Sequence, residues 1–150
     1  MKTIKPLLII SLILCLSTLF NCHRTTPPKL TPQQEQAKLL KGTWSNASDV
    51  VVPANVDTTI LDNLTMTFNV DNNYNPTTFN VNGADNFFQV QGNATWNFYG
   101  SDISIVNFTY INPVTQINIK SISEHLLTIS FDYAGLRSEG IGNYQVTLSK

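Results

Sequence analysis

From Trp44 onward the apolar residues fall on every second position. Leu64, Met66, Phe68 and Val70 alternate with Thr65, Thr67 and Asn69, and Phe79 and Val81 alternate with Asn80 and Asn82. Ala94, Trp96 and Phe98 alternate with Thr95 and Asn97. Leu127, Ile129, Phe131 and Tyr133 do so with Thr128, Ser130 and Asp132, and Tyr144, Val146 and Leu148 with Gln145, Thr147 and Ser149. Successive side chains of a strand point to opposite faces, so this pattern predicts antiparallel sheet with one packed face and one wet face. Ile103 and Ile105 keep one phase while Val106, Phe108 and Tyr110 take the other, which predicts a bulge between them. Ile117 and Ile119 shift phase in the same way before Ile122. Turn chemistry separates the runs at Asp71–Pro76, Asn82-Gly83, Gly100-Ser101-Asp102 and Ser123-Glu124-His125. The count is about eight to nine strands with no helical period among them, which leaves a barrel or a sandwich. The Cys…Trp…Cys spacing of an immunoglobulin-type sandwich is absent.

One short helix precedes the strands. In Thr31-Pro32-Gln33-Gln34, Thr31 can cap, Pro32 suits the first helical position and Gln34 stands at the capping-box position. The helix is expected to run to about Lys41, with Gly42 as its stop. Ahead of it the chain changes character. Lys2 and Lys5 precede an apolar run, Leu7 to Leu16, that is short for a membrane span and fits a secretory segment. That run closes on Leu19-Phe20-Asn21-Cys22, which resembles a bacterial lipoprotein signal. The resemblance implies a signal peptide over residues 1–21, lipidation of Cys22, and acyl chains that hold the protein on a membrane of a Gram-negative envelope. Two or more such chains anchor stably. Residues 22–30, with Pro27-Pro28, then form a tether, and residues 31–150 the β domain. His23-Arg24-Thr25-Thr26 lack the acidic run that marks many surface-exported lipoproteins, which favours the periplasmic leaflet of the outer membrane. Cys15 leaves with the signal peptide, so the mature chain has no second cysteine and no intramolecular disulfide.

The stretch Leu39-Leu40-Lys41-Gly42-Thr43-Trp44 resembles the Gly-x-Trp opening of lipocalins and of lipocalin-like bacterial lipoproteins, and Asn143–Lys150 is similar to their last strand. The resemblance implies a small antiparallel lipocalin-like β-barrel behind a short N-terminal helix, with a β-sandwich as the alternative, and makes Gly42 and Trp44 the structural motif. In lipocalins an Arg of the last strand commonly stacks on that Trp. The last strand here has no Arg and offers only Lys150. The resemblance also suggests a small apolar ligand in the barrel, against Met66, Phe68, Trp96 and Phe131. Barrels of this size are just wide enough to be filled by their own side chains, so a solid core competes with a cavity.

Composition narrows the chemistry. The chain of 150 residues is 42% apolar and 13% charged, and Asn and Thr stand where Lys and Glu are usual. The loss of Lys2 and Lys5 leaves seven basic residues against ten acidic, a formal charge of −3, which gives no basic face for nucleic acid. No catalytic residue, metal ligand set or cofactor is expected. His125 and Glu124 are adjacent, and neighbours on an extended segment diverge. Asp71-Asn72-Asn73-Tyr74-Asn75 echoes half of a calcium loop, but Pro76 and Asn82 stand where Gly and Glu are required, so a hairpin turn is expected. Tyr74, Tyr99 and one of Phe87 or Phe88 are candidates for exposure, where rings beside amides suit sugars. Asp57-Thr58-Thr59 resembles a periplasmic O-glycosylation acceptor centred on Thr58. The chain is therefore expected to be a non-catalytic binding module. It takes either an apolar ligand in the barrel or a partner protein or glycan through the outer face and loops.

Overall fold

The structure is a computed structural model that describes residues 28–135 and 140–150. The expected signal peptide over residues 1–21 and the expected lipidation site, Cys22, lie outside the described residues. Helix α1 spans Pro32–Leu40. Its capping box is formed as expected. Thr31 Oγ1 accepts from the Gln34 backbone N–H at 3.2 Å, and Gln34 Oε1 accepts from the Thr31 N–H at 2.9 Å. Ala37 and Leu40 point into the core, so α1 closes one end of the molecule.

Eight strands follow: β1 Gly42–Val51, β2 Thr65–Val70, β3 Pro76–Asn82, β4 Phe88–Tyr99, β5 Asp102–Pro113, β6 Gln116–Ile122, β7 Leu126–Tyr133 and β8 Gly142–Ser149. Each pairs antiparallel with the next and β8 returns to β1, which makes a closed barrel in the simple up-and-down order. Closure sets the sandwich alternative aside. A 3-10 turn at Thr58–Leu61 lies in the long β1–β2 connection.

The closing seam is the most irregular. Ser45, Ser48 and Val51 of β1 oppose Ser149, Thr147 and Gln145 of β8, so three residues of one strand answer two of the other. Asn46 at φ 54° and Asp49 at φ 47° absorb the mismatch, since short polar side chains tolerate the left-handed region. The alternation expected from Trp44 onward therefore breaks down within β1.

The phase shifts predicted in β5 and β6 are present. Phe98 opposes Val106 while Tyr99 opposes Asp102, and the β6–β7 register slips between Ile119 and Ser121. Two expectations need correction. Tyr110 does not continue the inward phase of Val106 and Phe108. It adopts φ 60°, is 60% exposed, and lays its ring over Gly92, while Ile111 takes the inward place. Phe87 and Phe88 are both buried, at 0% and 2% exposure, although alternation allowed only one of them inside. The reason is local. The chain turns at Ala84, whose carbonyl accepts from the N–H of Phe87 at 2.9 Å, so Phe87 lies across the barrel end while Phe88 begins β4.

The outer wall is knitted by neutral side chains. Thr43 pairs with Thr67 at 2.9 Å, Asn69 with Thr78 at 3.0 Å, Thr128 with Thr147 at 3.0 Å and Asn112 with Gln91 at 3.1 Å. Cross-strand pairs of this kind stabilise by about 0.2–1 kcal/mol each. They replace the charged pairs that the composition lacks.

Candidate functional site

Met66, Phe68, Trp96 and Phe131 all face the barrel interior and are no more than 1% exposed. β2 positions the first two, β4 Trp96 and β7 Phe131, each by the inward phase of its strand. The rings of Phe68, Trp96 and Phe131 belong to a run of aromatic contacts through the core. Rings meet along the barrel axis: Trp96 on Phe68 at 5.2 Å, Phe68 on Phe79 at 5.0 Å, Phe79 on Phe108 at 4.2 Å. The run continues from Phe108 to Phe88 at 6.4 Å, Phe88 to Phe131 at 5.0 Å and Phe131 to Tyr144 at 5.3 Å. Trp96 Nε1 donates to the Asn69 carbonyl at 2.8 Å, so its polar end is satisfied by backbone.

Both ends of the barrel are stoppered. At the end opposite α1, Phe87 contacts Phe131, Tyr133 and Tyr144 at 5.4, 4.9 and 4.8 Å. Leu61 and Leu64, from the β1–β2 connection, are fully buried in the same cluster. At the α1 end Trp44 is fully buried beneath the helix, and its Nε1 donates to the Leu40 carbonyl at 2.7 Å. Lys150 completes this end. Its ammonium sits 4.2 Å from the centre of the Trp44 ring and donates to the Leu39 carbonyl at 3.0 Å. The C-terminal lysine thus stacks on the tryptophan of the Gly42-Thr43-Trp44 stretch. Partial burial lowers the Lys150 pKa below the ordinary lysine value. Gly42, at φ 114°, lets the chain pass from helix to strand against the Lys150 side chain.

Clefts lie on the outside at the α1 end. One of about 440 Å³ is lined by residues including Gln33, Gln34, Tyr74, Asn75 and Asn97. A second of about 400 Å³ is lined by residues including Lys29, Gln34, Asn72, Asn73, Tyr74 and Asn75. Gln34, Tyr74 and Asn75 belong to both, so the two form one groove between α1 and the β2–β3 loop. Asp71 builds that loop. Its carboxylate accepts from the N–H groups of Asn73 and Asn75, each at 2.8 Å, and from Asn75 Nδ2 at 2.9 Å. The Asn75 side chain, then its backbone N–H, holds the Asp71 carboxyl below the usual carboxylate range. These donors occupy the carboxylate, which is the geometry of a turn and not of a calcium loop. A third cleft, of about 650 Å³, lies between α1 and the β6–β7 turn, against Leu39, His125 and Lys150.

The remaining candidates are dispersed. His125 and Glu124 are exposed on the β6–β7 turn. Among the described residues, no three His, Cys, Asp or Glu side chains group closely enough to hold a metal ion. Thr58 is exposed at the start of the 3-10 turn, which Asp57 caps by accepting from the Thr59 N–H at 2.9 Å. Tyr99 is exposed as expected, and Tyr74 is half-buried. Sequence reasoning missed the groove as a unit, because its walls come from a helix, a loop and strand β4, and only Tyr74 carried a signal. Comparison with protein-family models, with curated proteins and with solved structures finds no match to this chain.

Proposed function

We propose that this chain is a lipid-anchored envelope protein that works as a non-catalytic binding module through its outer face and loops, around a solid interior. The observation that carries the reading is the stoppering of both barrel ends, by Phe87 at one and by α1 with Trp44 at the other. A small barrel filled by its own side chains has no room for a ligand of useful size. That favours the outer surface over an apolar ligand against Met66, Phe68, Trp96 and Phe131. The anchor rests on the Leu19–Cys22 signature. Acyl chains on Cys22 would set the orientation. The tether enters at the α1 end, where Lys29, Lys38, Lys41 and Lys150 lie among Glu35, Asp71, Asp102 and Glu124, so the anchor and not a basic face would set which end meets the membrane. Asp49, Asp57, Asp62 and Asp85, at the opposite end, would face away from the membrane.

Two measurements test this. Mass spectrometry of the N-terminal peptide should find Cys22 acylated after removal of residues 1–21, and an unmodified Cys22 in the mature protein overturns the anchor. Native mass spectrometry of the purified protein should give the mass of the acylated chain with no bound ligand. A co-purified apolar ligand overturns the solid interior and restores the barrel-ligand reading.

A further inference from the structure

We infer that the groove between α1 and the β2–β3 loop is a binding site for an uncharged saccharide, an inference that rests on the reading that recognition lies on the outer surface. Its composition is the first reason. Six amide side chains line it, those of Gln33, Gln34, Asn72, Asn73, Asn75 and Asn97, beside the apolar Leu30, Pro76 and Phe98. Among its described lining residues Lys29 is the one that carries a charge, and the Lys38 ammonium lies 5.6 Å from the centre of the Tyr74 ring. An amide offers a donor and an acceptor side by side. A sugar hydroxyl needs both, whereas phosphates and carboxylates are held by cations and by N–H donors. The two clefts, of about 440 and 400 Å³, are of the size that holds a small organic ligand.

Preorganisation is the second reason. Tyr74, shared by both clefts, stands at φ 61°, a region that non-glycine residues rarely adopt. It is kept there by the hydrogen bonds that Asp71 accepts on either side of it. A strained aromatic fixed at the centre of a cleft marks a position held for contact. The neighbouring amides are fixed as well. Gln33 Nε2 donates to the Gly100 carbonyl at 2.6 Å and Asn75 Nδ2 to the Asp71 carboxylate at 2.9 Å, which fixes the orientation of each amide. Gln34 is locked in the capping box. Side chains already held in one conformation lose little entropy when a ligand arrives. A peptide added as a strand would instead require a free strand edge, and the closed barrel offers none beside the groove.

The test uses the full-length protein in a sugar-free detergent, titrated by calorimetry with triacetylchitotriose, maltotriose and cellotriose, and with inorganic phosphate as a charged competitor. At least one trisaccharide should bind saturably and phosphate should not displace it. Tyr74→Ala should weaken that binding about tenfold or more, and Tyr74→Phe should retain most of it. Asn97→Ala alters the strand wall without touching the Asp71 loop, so it reads the groove even if Tyr74→Ala misfolds. Absence of binding for all three sugars, binding untouched by both alanine variants, or displacement by phosphate overturns the saccharide site. The surface-binding reading falls separately, if the interior yields a co-purified apolar ligand.

Discussion

Lys150 answers for more than its charge. It stacks on Trp44, donates to the Leu39 carbonyl and, through its own backbone N–H, to the His125 carbonyl at 3.1 Å, so it ties α1, β1 and the β6–β7 turn together. A cation over an indole contributes about 0.5–1 kcal/mol at a partly exposed site, and a hydrogen bond a similar amount. Lys150→Ala should therefore lower the unfolding free energy by about 1–2 kcal/mol in a urea titration, and Lys150→Arg should recover most of it. No change in Lys150→Ala would mean that the stacking is ornamental. Ser130 presents the opposite case. Its hydroxyl is buried in the β7 wall with no hydrogen-bond partner among the described residues, and nothing in the structure explains it.

At the scale of elements, the loops are held by aspartates. Asp71 braces the β2–β3 loop. Asp57 caps the 3-10 turn, and Asp102 accepts from the Ser104 hydroxyl and N–H at the start of β5. Each carboxyl is held below its ordinary range. The Asn75 side chain leads for Asp71, the Thr59 N–H for Asp57 and the Ser104 hydroxyl for Asp102. A carboxyl depressed in the fold stabilises it fully above the unfolded value of about 3.9, and that contribution drains as pH falls through the lower folded value. Thermal midpoints should therefore hold steady down to about pH 5 and fall below about pH 4. Asp71→Asn should show a shallower acid loss than the parent protein. These elements were largely legible beforehand. The capping box of Thr31 and Gln34, the turn at Asp71 and the alternation of β2, β7 and β8 are local patterns, and local chemistry decides them. The period of two expected from Trp44 onward failed in β1, because bulges at Asn46 and Asp49 break it. Tyr110 and Phe87 were misread for the same reason, since a local change of backbone direction reverses which face a side chain meets.

For the whole molecule, the decisive question is whether the barrel is solid. Phe87 provides the handle. Truncation of a buried phenylalanine typically costs about 3–5 kcal/mol, and the void it leaves is apolar. Phe87→Ala should lower stability by about that amount in chemical denaturation, and it should create binding of a small apolar dye that the parent protein lacks. Equal dye binding by both proteins would show that the interior was already open. The near absence of charge on the strand walls also belongs at this scale. A wall of Thr, Asn and Gln carries few of the charges that discourage edge-to-edge pairing. Closure of β8 onto β1 removes the edges themselves.

The sequence by itself determined the class of fold, the order of turns and strands, and the composition of both faces, because each follows from period, turn residues and caps within a few positions of one another. It also carries Leu19-Phe20-Asn21-Cys22, on which the proposed anchor rests and which lies beyond the described barrel. The tertiary structure alone decided that the strands number eight and close, that Phe87 stoppers one end, and that Lys150 reaches Trp44. It alone brought Gln33, Tyr74 and Asn97 to one groove. Those are meetings of residues far apart in the chain, and they depend on barrel register and on backbone reversals. No local pattern encodes where two distant segments come to lie side by side.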